Sequence, residues 1–198
     1  MRAYYEELWQ RLPADLAPPD FELRSQFLLG EVKPADRALD LGAGEGVFTE
    51  LLAGRVRSVV AVEVAEAAIV RARARFPALD FRLAPIEGPL PLPDNSVDVV
   101  WASEVIEHVG DTARWLSEVR RVLAPRGRLL LTTPDHGRLR VMLLGVDRVS
   151  DPLGDHLHLY TRRSLRTLLD EFGFAQVRVR AAGGPPLLSR LLLASAVR

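Results

Sequence analysis

The chain has 198 residues, 48% of them hydrophobic, which is enough to build one ordinary hydrophobic core. Its 26 basic and 26 acidic side chains cancel, so overall charge does not favour a polyanion-binding or membrane-surface protein. The absence of cysteine excludes disulfides, thiolate nucleophiles and iron–sulfur clusters. There is no basic and apolar leader pattern and no apolar run of the ~18 residues that span a membrane. We therefore expect a cytoplasmic protein with no membrane partner.

Two helices are predicted before the first strand. Aromatic and apolar residues between Tyr4 and Leu12 recur at helical spacing, and the pattern stops at Pro13. A second helix carries the apolar residues between Phe21 and Leu28 and ends at Gly30. These elements predict an N-terminal helical cap over residues 1–30. We expect its first helix to act as a lid over the ligand site, although plain core packing would give the same pattern.

Short apolar runs alternate with helical patterns between residues 36 and 182. Such alternation, with nearly continuous apolar strands, predicts a single Rossmann-like α/β domain: a doubly wound, mainly parallel sheet with helices on both faces. The tail, residues 183–198, is predicted to form a helix or an edge strand. The predicted strands cover residues 38–41, 58–64, 80–83, 97–103, 128–133 and 176–181.

A glycine-rich turn follows the first strand, in the order Asp40-Leu41-Gly42-Ala43-Gly44-Glu45-Gly46. This turn lies at the carboxyl edge of a doubly wound sheet, where glycines let a ligand approach the backbone. Glu63 ends the second strand, the position from which a carboxylate binds ribose hydroxyls. The turn departs from the dinucleotide fingerprint because Val47 occupies its third small position. A carboxylate beside the turn favours a cationic sulfonium over a pyrophosphate.

Five linked motifs give the chain its resemblance to the class I S-adenosylmethionine-dependent methyltransferases. The resemblance covers about residues 36–182 and implies a Rossmann-like fold and S-adenosylmethionine as the cofactor. In chain order, the motifs are ALDLGAGEG, VVAVEVAEAAI, LPLPDNSVDVVWASEVIEHV, VLAPRGRLLLTTP and HLHLYTRRSLRTLLDEFGF.

The resemblance also implies which residues bind the cofactor. The glycine turn would hold the methionine end, Glu63 the ribose and Val64 one face of the adenine. Many relatives have an aspartate where this chain has Ile86 and Glu87, so either Glu87 replaces it, or the backbone alone binds the adenine, or Glu87 is a solvated loop residue. The implied cofactor-binding residues are Asp40, Gly42, Ala43, Gly44, Glu63, Val64, Ile86, Glu87, Ser103 and Glu104.

A polar cluster follows the fourth strand. Glu104, Glu107 and His108 have i, i+3, i+4 spacing, so a short helix would place them on one face, towards the transferred methyl group. His108 is predicted to be the general base, since imidazole titrates near neutrality. The alternative is a structural histidine that packs beside Trp101 or Trp115 and hydrogen-bonds Glu104.

His156 is a second imidazole on a loop expected at the same edge. With Glu104, Glu107 and His108 it resembles the metal ligands of small-RNA 3′-terminal 2′-O-methyltransferases. Similar motifs also occur in metal-free relatives, so we expect no metal. The arginine groups are typical of solvated helix faces, and we do not expect a nucleic-acid partner.

The predicted function is S-adenosylmethionine-dependent methyl transfer to an oxygen of a small molecule. Nitrogen acceptors are disfavoured because the fourth strand lacks an Asn/Asp-Pro-Pro-aromatic element, whereas carbon acceptors stay open. The alternatives are a metal-assisted RNA 2′-O-methyltransferase and a cofactor-binding regulatory module without catalysis. Residues 137–151 are typical of a substrate-binding insertion, in which residues 142–144 either line an apolar pocket or pack on the sheet.

Overall fold

A computed structural model describes residues 2–13, 17–145, 156–185 and 188–198. The helices of this part are α1 (Arg2–Arg11), α2 (Phe21–Glu31), α3 (Val47–Ala53), α4 (Glu66–Arg75), α5 (Thr112–Val122), α6 (Arg138–Leu144) and α7 (Arg162–Glu171), with a 3-10 turn at Ile106–His108. The strands are β1 (Arg37–Leu41), β2 (Ser58–Glu63), β3 (Asp80–Leu83), β4 (Val97–Ser103), β5 (Leu123–Pro134), β6 (Ala175–Ala182) and β7 (Leu191–Val197).

The strands form one seven-stranded sheet in the order β3-β2-β1-β4-β5-β7-β6. The ladders that join β3, β2, β1, β4 and β5 are parallel, and β7 pairs antiparallel with both β5 and β6. The central strands are buried over most of their length because helices cover both faces. The predicted doubly wound, mainly parallel α/β fold is confirmed.

The prediction for the tail is wrong in one respect. Leu191–Val197 is neither a helix nor an edge strand: it lies between β5 and β6, with Leu191, Leu192 and Leu193 buried. An inner strand is apolar on both faces, so it lacks the period-two alternation that distinguishes a strand from a helix in sequence.

Each face of the sheet has its own packed layer. On one face α2 and α3 pack over Trp101, whose ring centroid lies 6.1 Å from that of Phe27 and 5.4 Å from that of Phe48. On the other face Trp115 and Leu165, from α5 and α7, belong to the larger core cluster. These two layers fix the carboxyl ends of β1, β4 and β5 relative to one another.

The helix α1 packs against α4 instead of forming a separate domain. The carboxylate of Glu6 accepts hydrogen bonds from the backbone N–H groups of Glu66 and Ala67, at 2.7 and 3.0 Å. A carboxylate at a helix N-terminus satisfies unpaired N–H groups and interacts favourably with the helix dipole. This contact holds α1 at the carboxyl edge of the sheet. Within the part of the chain described, no helix is long and apolar enough to cross a bilayer.

Candidate active site

The glycine turn leaves β1 in a conformation that requires glycine at two positions. Gly42 and Gly46 have φ values of 82° and 84°, in the left-handed region. A Cβ atom at Gly42 would overlap the Val105 side chain, and one at Gly46 would lie 2.6 Å from the Phe81 ring. The turn therefore presents bare backbone at the sheet edge, as a bound nucleoside cofactor requires.

Glu63 ties this turn to the end of β2. Its carboxylate accepts hydrogen bonds from the N–H groups of Gly44, Val64 and Ala65, at 3.0, 2.7 and 3.0 Å. Burial raises the pKa of Glu63 above its ordinary value, while these three backbone donors act in the opposite direction. An ionised carboxylate has about four acceptor sites, so three backbone hydrogen bonds do not use its full capacity. It can therefore hold the loop and also accept a hydrogen bond from a ribose hydroxyl.

Asp40 lies beneath the same turn, 2% exposed. The Thr49 hydroxyl donates to its carboxylate at 2.6 Å. Burial raises the pKa of Asp40 to about 7, against the effect of Thr49 and with a further contribution from the charge of Glu63. A buried carboxyl that titrates near neutrality binds a cationic group well, because the cation favours its charged form.

The end of β4 forms a second group of polar residues. Glu104 has φ 55°, a left-handed conformation that costs a non-glycine residue free energy and is common at functional sites. Its carboxylate accepts from the Thr132 hydroxyl at 2.8 Å and lies 3.4 Å from the guanidinium of Arg24. Arg24 also donates to Ser103 at 3.4 Å. This pairing compensates the charge of Glu104, whose side chain is 24% exposed.

Arg24 is a residue that the sequence analysis missed. It is 5% exposed and lies on α2, far from the glycine turn in the chain. The signal was its spacing: Arg24 lies three and four residues before the buried Phe27 and Leu28, on the buried face of the helix. A charged residue on an apolar helix face is rarely buried without a partner, so the pattern pointed to an internal anion.

Glu107 follows in the 3-10 turn after β4 and is 0% exposed. One carboxylate oxygen, Oε2, accepts from the Thr133 hydroxyl at 2.9 Å. The other, Oε1, lies 3.8 Å from Nε2 of His108 and has no hydrogen-bond partner among the residues described. Burial raises the pKa of Glu107 to about 8; the charge of Glu104 adds to this shift and His108 opposes it.

Two further rings surround His108. Its ring centroid lies 4.8 Å from that of His156 and 5.9 Å from that of Tyr5. Glu107, His108 and His156 each offer one ligand atom, and these three atoms lie within 4.8 Å of one another. The ring of His136 lies 6.2 Å from that of His156, so the same edge holds a further imidazole.

The structure changes the predicted geometry of this cluster in two ways. Glu104 does not share a helical face with Glu107 and His108, because it precedes the short turn and pairs with Arg24. The ring contacts of His108 are with Tyr5 and His156, whereas Trp101 packs against Phe27 and Phe48. A structural role for His108 beside Trp115 stays a prediction.

The remaining predicted positions have structural contacts of their own. Glu87 accepts a hydrogen bond from the N–H of Asp111 at 3.0 Å, just before α5, and Ile86 packs against the core. A role for either in adenine binding stays a prediction. Met142 and Leu143 on α6 are 74% and 59% exposed, so they do not pack on the sheet as one interpretation of the insertion had it. Residues 146–151 of that insertion lie outside the described residues.

The first helix covers the glycine turn. A Cβ atom at Gly44 would lie 2.9 Å from the Trp9 ring, and the Tyr5 ring contacts the His108 ring. The helix thus touches both the glycine turn and the polar cluster after β4. Its movement as a lid stays a prediction.

A Rossmann-like sheet with a bare glycine turn, an acid at the end of β2 and a polar cluster after β4 is typical of a site that binds a nucleoside cofactor. The family model "Methyltransferase domain" matches residues 1–179. The chain belongs to this family, the class I S-adenosylmethionine-dependent methyltransferases, and the predicted family is confirmed. The cofactor of the family is S-adenosylmethionine, and the glycine turn with Glu63 fits it.

Individual relatives agree with the family. A Mycobacterium tuberculosis protein named "Probable S-adenosylmethionine-dependent methyltransferase" is 37% identical over 139 residues, which cover 70% of this chain and 48% of the relative. The trans-aconitate 2-methyltransferase of Variovorax paradoxus is 34% identical over 131 residues, 65% of this chain and 49% of that enzyme. The chain thus spans about half the length of these relatives. A crystal structure of a Pyrococcus horikoshii protein superposes with a TM-score of 0.74 at 22% identity, covering 96% of this chain and 98% of that one, and shows the same fold.

Proposed function

We propose that this protein transfers a methyl group from S-adenosylmethionine to an oxygen atom of a small molecule. The observation that carries the proposal is a cluster beside the glycine turn of β1: the buried Glu107 and His108, which follow β4, meet the half-buried His156 from a later loop. A hydroxyl acceptor must lose a proton, and such a cluster supplies groups that promote its loss. The name of the Variovorax paradoxus relative, which refers to a small organic acid, supports a small-molecule acceptor.

The residues around the turn match the charges of the cofactor. Asp40 is a buried and Glu104 a half-buried carboxyl group, both suited to an ammonium or a sulfonium, and Arg24 is a buried guanidinium suited to a carboxylate. Glu63 supplies acceptors for the ribose hydroxyls. When bound, S-adenosylmethionine supplies a methyl group on a positively charged sulfur, which keeps the electron pair of the broken bond.

The acceptor side of the site must then prepare the oxygen. We assign His108 as the catalytic residue, because it lies between the buried Glu107 and the rings of Tyr5 and His156. As a general base it accepts the proton of an acceptor hydroxyl, and the positive charge that it gains favours the ionised form of Glu107, 3.8 Å away. Positioning by α1 and exclusion of water account for the rest of the expected rate enhancement.

Binding and transfer can be tested separately. Calorimetry with S-adenosylhomocysteine should show one bound ligand per chain. Incubation with methyl-labelled S-adenosylmethionine and parallel panels of hydroxy acids, carboxylic acids, phenols, amines and RNA should label small oxygen acceptors and leave the amines and the RNA unlabelled. Binding without labelling of any acceptor would favour a regulatory module, and labelling confined to amines or to RNA would overturn the proposed acceptor class.

A further inference from the structure

We propose that Glu107, His108 and His156 together bind one divalent first-row transition-metal cation. The inference rests on the proposed function, since it assigns a ligand to the acceptor side of the same site. It goes beyond the sequence analysis, which favoured a metal-free site because nothing there showed that these residues meet.

The donor set fits this class of cation. One carboxylate and two imidazoles are ligands for zinc or iron, and the three of them leave coordination positions open for an acceptor oxygen or water. Metal–ligand bonds of about 2.1 Å place neighbouring ligands about 3.4 Å apart. The observed separations are 3.8 Å between Oε1 of Glu107 and Nε2 of His108, and at most 4.8 Å among the three ligand atoms. Side-chain movements of about 1 Å would bring these atoms to coordination distance.

A second observation, the environment of the Oε1 atom of Glu107, also supports a bound cation. This atom is fully buried and, within the ranges that the structure describes, accepts no hydrogen bond. A buried carboxylate oxygen without a donor is costly, and a cation would remove that cost. The hydroxyl of Thr133 already holds the other oxygen at 2.9 Å, which fixes the orientation of the carboxylate towards His108.

The backbone brings the two ligand-bearing segments together before any cation binds. The carbonyl of Glu107 accepts hydrogen bonds from the N–H groups of Leu157 and His158, at 2.8 and 3.1 Å. These bonds join the 3-10 turn to the loop that carries His156. A preformed arrangement of this kind reduces the entropic cost of assembling a metal site.

Charge distribution separates this site from its neighbour. Glu104 is paired with Arg24 at 3.4 Å, so it is not available as a fourth anionic ligand. The three proposed ligands carry one formal negative charge, and a divalent cation leaves the site positive. An acceptor hydroxyl bound there would lose its proton more readily, because a bound cation lowers the pKa of a coordinated oxygen. His108 would then act as a ligand and promote proton loss through the cation.

Zinc and cobalt titrations of the chelator-treated full chain test this inference. Calorimetry with Zn²⁺ should give one site per chain, and Co²⁺ should produce the visible absorption of a protein-bound ion. His156→Ala and Glu107→Gln should each weaken binding at least tenfold. His158→Ala is the matched control: it removes an imidazole two residues away that lies outside the ligand group, and it should bind Zn²⁺ within threefold of the wild type.

Three results would overturn the inference: no Zn²⁺ binding by the wild type, equal binding by His156→Ala, or equal losses in His156→Ala and His158→Ala. Circular dichroism of each variant confirms that the fold is retained. S-adenosylhomocysteine affinity and methyl transfer are measured in the same preparations. If the wild type binds no Zn²⁺ but transfers methyl groups, only the metal inference is wrong; if no cofactor binds, the proposed function itself is wrong.

Discussion

Two parts of the candidate site differ in how the hydrogen-bonding atoms of their buried acids are satisfied. We call the glycine turn with Asp40 and Glu63 the cofactor side, and Glu107 with His108 and His156 the acceptor side. Glu63 accepts three backbone hydrogen bonds and Asp40 accepts one from Thr49. On the acceptor side, by contrast, Glu107 keeps one buried oxygen without a donor among the described residues. Hydrogen bonds within the fold hold the acids of the cofactor side in place, whereas Oε1 of Glu107 on the acceptor side lacks such a bond among the described residues. Because such a group is costly, it is a candidate for binding or chemistry.

The largest expected effect is on the acceptor side. His108→Ala should lower methyl transfer by about 10²–10⁴-fold, because it removes the group that promotes proton loss. Cofactor affinity should change by less than about threefold, since the cofactor turn has its own hydrogen bonds. Turnover with an acceptor found in the panels, and calorimetry with S-adenosylhomocysteine, measure the two quantities. A matching loss of cofactor affinity would show that the two sides are not independent.

A second effect concerns pH and the cofactor side. The folded pKa of Asp40 is about 7, above its unfolded value, so the folded state retains a proton that the unfolded state has lost. The free energy of unfolding should therefore fall as pH rises from about 5 to 8, by about 2–3 kcal/mol more in the wild type than in Asp40→Asn. Urea unfolding at both pH values measures this difference.

Asp98→Asn is the control for this pH effect. Its pKa is lowered to about 2, chiefly by the hydrogen bond from Arg37, so its stabilising contribution is present throughout the range from pH 5 to 8. The variant should lose the same free energy at both pH values. Equal pH slopes for the wild type and Asp40→Asn would contradict the raised pKa of Asp40.

A third effect is on cofactor affinity. Glu63→Ala removes a charged acceptor for two ribose hydroxyls and should cost about 1.5–3 kcal/mol of binding free energy, roughly 10–100-fold in Kd. Because Glu63 also holds the turn, part of this loss reflects a looser loop. Glu50→Ala, an exposed position on α3, is the control and should bind normally. Wild-type affinity in Glu63→Ala would remove the ribose assignment.

The smallest expected effect tests the helix that touches both sides. Deleting residues 1–12 removes Trp9 from Gly44 and Tyr5 from His108, and should weaken cofactor binding about 3–10-fold while leaving a folded core. Thermal unfolding checks the core and calorimetry the affinity. If the shortened chain binds the cofactor unchanged, α1 is packing and not a lid.

The same contrast separates what could be predicted from the sequence from what could not. The turn from Asp40 to Gly46 was predictable because its backbone geometry requires glycine within a short stretch. Glu63 was predictable because it ends the strand that follows. Glu107 and His108 were also found, since they are neighbours in the chain. Arg24 lies on a helix far upstream in the chain. Its spacing indicated a buried partner, but nothing in the sequence indicated that the contacts would be with Ser103 and Glu104.

The sequence placed His156 at the same edge as His108, but the contact between their rings could not be predicted. This contact depends on the hydrogen bonds from the loop to the carbonyl of Glu107, which are backbone contacts that no side-chain pattern encodes. The strand β7 was missed for another reason. Burial on both faces removes the alternation that identifies a strand, so leucine-rich inner strands and helices look alike in sequence.

The position of β7 has a consequence for how the molecule assembles. The strand β7, which follows β6 in the chain, joins β6 to the remainder of the sheet, because β6 pairs with β7 and β7 with β5. The helix α7 packs on β6, so it too depends on this late strand. During synthesis, β6 and α7 would emerge with no edge to join, while the ladder of β1 to β5 could already form. The cofactor side would therefore mature first, and the polar cluster anchored near α7 would be ordered last.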